Sequence, residues 1–119
     1  MPQILVVDDD PDVLEVLRDR LEMMGFMVRT AENGQDALAI METSEPDVIL
    51  LDIEMPVMDG IHALQYIRAR HPQLPVFMLS ATGNTRRFEE AIAKGATAYF
   101  TKPIDAAAFK DAMSVFFTH

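Results

Sequence analysis

The sequence predicts an α/β fold in which a parallel sheet is covered by helices on both faces. Three observations carry this. Short apolar, β-rich runs alternate five times with stretches of helical periodicity. The connections between them are brief, with no linker and no low-complexity tract. The apolar runs also end abruptly in polar residues, as strands buried on both faces do at the edge of a sheet. With 119 residues, half of them hydrophobic, the chain can bury a real core but not two, so residues 1–119 are expected to be a single domain.

The first strand is Gln3 to Val7, followed by Asp8, Asp9 and Asp10. Asp10–Pro11 is a helix start, a capping acid followed by proline in the first turn. Leu14, Leu17, Leu21 and Met24 continue at spacings of three and four until Gly25. Phe26 to Thr30 is the second strand, and Asn33–Gly34 the turn before a helix over 35–43 with Ala37, Leu38 and Met41 on one face. Pro46 ends it. Asp47 to Leu51 is the third strand, Ala63, Leu64 and Ile67 mark the third helix, and His71–Pro72 closes it.

Pro75 to Leu79 is the fourth strand. After Thr82–Gly83–Asn84 comes a helix with Phe88, Ala91 and Ile92 on one side, closed by Gly95. Thr97 to Phe100 is the fifth strand, and Asp105 caps a last helix whose Phe109, Ala112, Met113 and Phe116 share a face. The nine methionines sit at apolar positions and are expected to fill the core.

Composition excludes several function classes. The 19 acids against 10 bases, net charge −9, argue against a nucleic-acid-binding surface on this segment. Without cysteine there is no disulfide, thiolate zinc site or cysteine nucleophile. His62, His71 and His119 fall on a helix, in a loop and at the terminus, where no shared metal is expected. The start lacks signal-peptide character and no apolar run approaches a membrane span, so a soluble, cytoplasmic protein is expected.

The stretch VILLDIEMPVMDG, residues 48–60, is the most informative one. Four apolar residues end in Asp52, and a carboxylate at the edge of such a strand is costly unless something uses it. Ligands of open parallel sheets sit at the carboxyl ends of the strands. The first strand delivers Asp8 and Asp9 there, the third Asp52, the fourth Ser80 and the fifth Lys102, whereas the second delivers only Ala31 and Glu32. Two carboxylates about 4 Å apart repel by roughly 4 kcal/mol at an effective dielectric of about 20. One Mg²⁺ together with Lys102 would neutralise three such acids, and an all-oxygen site suits that ion. A phosphoryl group fits the arrangement, with one carboxylate attacking while metal and lysine stabilise its oxygens.

ILVVDDD, VILLDIEMPVMDG, FMLSA and the AYFTKP run around Lys102 resemble, in order and across residues 3–117, the receiver domain of two-component response regulators. The resemblance implies a flavodoxin-like, doubly wound sheet of five parallel strands in the order 2-1-3-4-5 with five helices. It implies that Asp52 is the phosphoacceptor and that Asp9, assisted by Asp8, ligates Mg²⁺ together with Asp52 and the Glu54 carbonyl. Lys102 would contact the phosphoryl oxygens, with the Lys102–Pro103 peptide cis. Ser80 would turn toward the phosphoryl group and Tyr99 would change rotamer with it. Expected partners are a sensor histidine kinase or histidine phosphotransfer protein and an output partner or domain, met through the face of the fourth helix, fifth strand and fifth helix. A homodimer is allowed, and the chain's end just after the last helix suggests a receiver excised from a longer regulator.

Other readings stand beside these. Asp8-x-Asp10 resembles the nucleophile motif of haloacid-dehalogenase-like phosphatases, although the chain is short for one and its strongest motif lies at the third strand. A nucleotide or flavin binder would need glycine-rich phosphate motifs that do not occur. A degenerate receiver that only binds partners is opposed by the complete site set. Asp10 is expected to cap its helix, Asp59–Gly60 to shape the loop, Arg86 and Arg87 to form a solvated face, and Phe117 to extend an apolar surface. Glu54 and Thr82, two positions beyond Asp52 and Ser80, line the path of the attacking water in this family. The Glu54 side chain is expected to orient or repel water or to pair with a nearby base.

Overall fold

The apolar runs form one parallel sheet of β1 (Gln3–Val7), β2 (Met27–Ala31), β3 (Val48–Asp52), β4 (Val76–Ser80) and β5 (Ala98–Thr101), in the order β2-β1-β3-β4-β5. The crossovers are α1 (Pro11–Met23), α2 (Gly34–Thr43), α3 (Gly60–Arg70) and α4 (Thr85–Ala93), and α5 (Ala106–Phe117) follows the last strand. This computed structural model describes residues 2–55, 58–81 and 85–117, with the side chains of α5 described to residue 115. The fold is the doubly wound, flavodoxin-like one that the sequence resemblance implied.

Side-chain alternation along each strand divides the core in two. Leu5, Val7, Ile49, Leu51, Val76 and Met78 pack under α2, α3 and α4. Ile4, Val6, Val48, Leu50, Phe77 and Leu79 pack under α1 and α5. Every residue of β3 and β4 is buried, which is why these strands read as unbroken apolar runs. The helix starts follow from capping acids and an amide: Asp10 accepts from the Asp12 N–H, Asn33 from Asp36, Asp59 from Ile61 and Asp105 from Ala107.

Four strands lie one residue later than their apolar runs predict. Ala31, Asp52, Ser80 and Thr101 are the last residues of β2, β3, β4 and β5, and the register sets Val7 beside Ala31, Asp52 beside Leu79 and Ser80 beside Thr101. Ladder bonds use backbone groups and ignore side-chain polarity, so pairing runs on past the last apolar residue. Three further expectations are corrected. Ile92 is 42% exposed although it lies near buried Phe88 and Ala91 on α4, and Met23 and Met27 are 88% and 51% exposed, not core filling. A nine-residue helix has room for only a narrow buried stripe, and both methionines lie where α1 ends and β2 begins. Pro56, the Thr82–Gly83–Asn84 turn, His119 and the side chains of Phe116 and Phe117 lie outside the described residues.

Arg68, on α3, is a structural residue that its sequence context does not announce. Its guanidinium donates to the carbonyls of Gly95 (3.0 and 2.8 Å), His71 (2.8 Å) and Leu74 (2.7 Å). Burial lowers its pKa from the ordinary arginine value. It thus ties the end of α3, the approach to β4 and the turn after α4 into one corner. Gly95 itself has a positive φ of 109°, and its place against the Arg68 side chain leaves little room for a methyl group.

At the opposite edge, Gly60 opens α3 directly against the end of β3. A Cβ there would stand 2.1 Å from the Asp52 carbonyl oxygen and 2.7 Å from Ile53 Cα. The close approach lets the Gly60 N–H donate to the Ile53 carbonyl at 2.8 Å. A helical Gly→Ala change ordinarily gains up to about 1 kcal/mol. Gly60→Ala is instead expected to lose about 2–3 kcal/mol through overpacking, measured by urea unfolding.

Candidate functional site

Asp8, Asp9 and Asp52 arrive at one edge of the sheet because β1 and β3 are adjacent and parallel. Asp8 is fully buried and Asp52 is 3% exposed, whereas Asp9 faces solvent. One carboxylate oxygen from each lies within 4.8 Å of the others. Asp8 Oδ1 accepts from the Asp10 N–H at 2.9 Å, which orients the carboxylate. Asp52 Oδ1 accepts a longer bond, 3.3 Å, from the Glu54 N–H.

Lys102 enters the cluster from the end of β5. Its N–H donates to the Ser80 carbonyl at 3.0 Å, so its backbone is fixed by the β4–β5 ladder. The ammonium lies 2.6 Å from Asp8 Oδ2 and 3.4 Å from Asp52 Oδ2. The following peptide, Lys102–Pro103, is cis, as the resemblance implied.

A single cation facing two buried carboxylates leaves the group short of positive charge, and Asp52 registers the deficit. Burial first, then the charge of Asp8, raises its pKa from an ordinary 3.8 to about 7, against the opposing pull of Lys102 and the Glu54 N–H. Burial works to lower the pKa of Lys102, but its bond to Asp8 and the charges of Asp52 and Asp8 outweigh that and raise it above the ordinary lysine value. The ammonium therefore stays charged. The three carboxylates form an all-oxygen donor set in excess of its cations, which fits a hard divalent ion such as Mg²⁺.

Ser80 is fully buried, and strand alternation places it on the α2–α4 side with Val76 and Met78, whereas Asp52 follows Val48 and Leu50 on the α1/α5 side. Its hydroxyl donates to Glu54 Oε1 at 2.6 Å. The Glu54 carboxylate, for which pairing with a nearby base was one expectation, thus accepts from a hydroxyl at the end of β4. Tyr99 lies on the exterior at 49% exposure, its ring stacked on buried Phe88 with centroids 4.2 Å apart.

Two residues depart from their expected parts. Asp59 caps α3 and also accepts from Arg87 Nη2 through both oxygens, at 2.7 and 2.5 Å, while Arg87 Nη1 reaches Glu90 at 3.0 Å. Arg87 is thus a bridge between α4 and the start of α3, not part of a solvated face. The hydrogen bond from Asp59 leads the causes that raise its pKa, over the opposing effect of burial. Asp10 is the cap of α1, as expected, its Oδ1 accepting from the Asp12 N–H. His62 stacks on Tyr66 and His71 pairs with Glu45 at 2.6 Å.

Comparison with known proteins gives a consistent picture. The profile of the response regulator receiver domain matches residues 4–114. The transcriptional regulatory protein PrrA of Mycobacterium tuberculosis is 42% identical over 102 residues, 86% of this chain and 44% of PrrA. The DNA-binding transcriptional regulator NtrC of Salmonella typhimurium is 41% identical over 102 residues, 86% of this chain and 22% of NtrC. The chain therefore spans less than half the length of these relatives. The receiver domain of the Francisella response regulator 1452 superposes with a TM-score of 0.89 at 30% identity, covering 99% of this chain and 98% of that one.

The raised pKa of Asp52 has a measurable sign. The folded protein binds this proton more tightly than the unfolded chain, so stability falls as pH rises from about 4 to about 7 and stays reduced above that. In EDTA, Asp52→Asn should therefore exceed the native protein in stability by about 2–4 kcal/mol at pH 8. The advantage should shrink toward zero near pH 4, as followed by urea unfolding at each pH.

Proposed function

This chain belongs to the response regulator receiver domain family, and we propose that its residues 1–119 form one receiver that switches when Asp52 is phosphorylated. The observation that carries the reading is the convergence of the Asp8, Asp9 and Asp52 oxygens within 4.8 Å, with the Lys102 ammonium 2.6 and 3.4 Å from two of them. Such domains are signalling elements. Their product is a conformation, and the chemistry is confined to gaining and losing one phosphoryl group.

The donor is a phosphohistidine on a sensor kinase or phosphotransfer protein. An Asp52 oxygen attacks phosphorus, the P–N bond breaks as the P–O bond forms, and the imidazole nitrogen leaves and takes a proton. Lys102, held charged between Asp8 and Asp52, stabilises negative charge as it develops on the phosphoryl oxygens. Mg²⁺ bound by Asp8, Asp9, Asp52 and the Glu54 carbonyl would screen those oxygens and favour ionised Asp52. Ser80 and Tyr99 are the switch residues, passing the change to the face of α4, β5 and α5. Exposed Ile92, Tyr99 and Val115, one on each of these elements, support that face as the partner surface.

An apolar groove of about 370 Å³ between α1 and the Lys102–Ile104 turn, lined by Val13, Val16, Leu17 and Ile104, supports docking of the donor beside the site. The longer DNA-binding and transcriptional relatives support an output domain that works on DNA, and the net charge of −9 assigns such contact to a segment other than this one. No helix among the described residues is long and apolar enough to cross a membrane, in keeping with action in the cytoplasm. A second copy of the chain is a further candidate for the partner surface.

Incubation with Mg²⁺ and a small acyl phosphate should add the mass of one phosphoryl group, read by intact mass spectrometry. Asp52→Asn should acquire none, and an undiminished adduct on that variant would sink the reading. Lys102→Ala should slow the reaction by about 10²-fold. Mg²⁺ at about 100 times its Kd should raise unfolding stability by about 2.7 kcal/mol, an effect that Asp9→Asn should largely remove.

A further inference from the structure

Building on Asp52 as the phosphoacceptor, we infer that the Glu54 side chain is a positioning residue. It holds the Ser80 hydroxyl in reserve, and switching exchanges one hydrogen-bond acceptor of that hydroxyl for another. The contact is short, Ser80 Oγ donating to Glu54 Oε1 at 2.6 Å. A serine hydroxyl has one proton to donate. It serves the carboxylate or a phosphoryl oxygen, not both at full strength.

The setting makes the exchange consequential. Bonds to an ionised acceptor are the stronger kind. Ser80 is fully buried, where giving up an acceptor costs more than it does in water. In the resting form the hydroxyl is satisfied on the Glu54 side of the sheet edge, while the phosphoryl group is added to Asp52, which follows Val48 and Leu50 on the other. A phosphoryl group carries more charge and three acceptor oxygens, so it can win the hydroxyl. Glu54 sets by how much. It thereby sets what fraction of phosphorylated molecules is switched, without taking part in the chemistry.

The Glu54 backbone carbonyl survives any substitution of its side chain, so this role is separable from metal binding. The test is a double-mutant cycle on the affinity for beryllofluoride, a phosphoryl mimic, at saturating Mg²⁺, measured by titration calorimetry on the full chain. Glu54→Ala should bind about tenfold more tightly than native protein, which corresponds to about 1.4 kcal/mol. Glu54→Gln, which keeps a neutral acceptor, should fall between them. In a Ser80→Ala background there is no hydroxyl to release, and Glu54→Ala should change affinity less than about twofold.

Equal gains in both backgrounds would mean that Glu54 acts through its charge alone. That result, or no gain in the native background, overturns this inference and leaves the phosphoacceptor reading standing. No beryllofluoride binding by the native protein overturns both.

Discussion

Everything at the carboxyl edge of this sheet depends on one ammonium shared between two buried carboxylates. Asp8 and Asp52 could not both be withdrawn from water without a cation, because desolvation of like charges compounds their repulsion. Lys102 supplies it, and its place is set by the β4–β5 ladder through the bond from its N–H to the Ser80 carbonyl. The order of the strands is therefore an electrostatic requirement as much as a topological one. Because a single positive charge faces two negative ones, the compensation is incomplete. The site keeps an appetite for a further cation, and Asp52 holds its proton up to about pH 7.

Around this centre, side chains fasten the segment between β3 and α3 to its neighbours. Glu54 accepts from Ser80 at the end of β4, and Asp59 receives the guanidinium of Arg87 on α4. Both contacts join the segment that follows Asp52 to β4 and α4. Gly60 presses α3 against the Asp52 backbone from behind, which leaves that strand end little freedom to retreat. The end of β3 is thus held between these contacts on one side and α3 on the other.

Much of this was legible beforehand, and the reason is periodicity. The central strands of this sheet are buried on both faces, so each is an apolar run and a candidate site residue stands where it ends. Asp8, Asp52 and Ser80 could be picked out on that ground, and Lys102 only by its place in the set they form. The Glu54–Ser80, Asp59–Arg87 and Arg68–Gly95 contacts could not. Each joins residues 26 to 28 positions apart through side chains whose reach no local pattern encodes. Arg68 is the clearest case, since an arginine among helical polar residues gives no sign that backbone carbonyls are its partners. The strand ends were misplaced by one residue for a related reason, because ladder bonds do not register side-chain polarity.

The corner made by Arg68 also has a mechanical meaning. Its guanidinium grips the Gly95 carbonyl just past the end of α4, and so pins that helix to α3 at the edge of the sheet far from the acids. A helix of nine residues is about 13 Å long. The other end is held as well, because Arg87 in its first turn bridges to Asp59 at the start of α3. The helix is thus braced against α3 by an arginine at each end, and a shift of either helix is carried to the other.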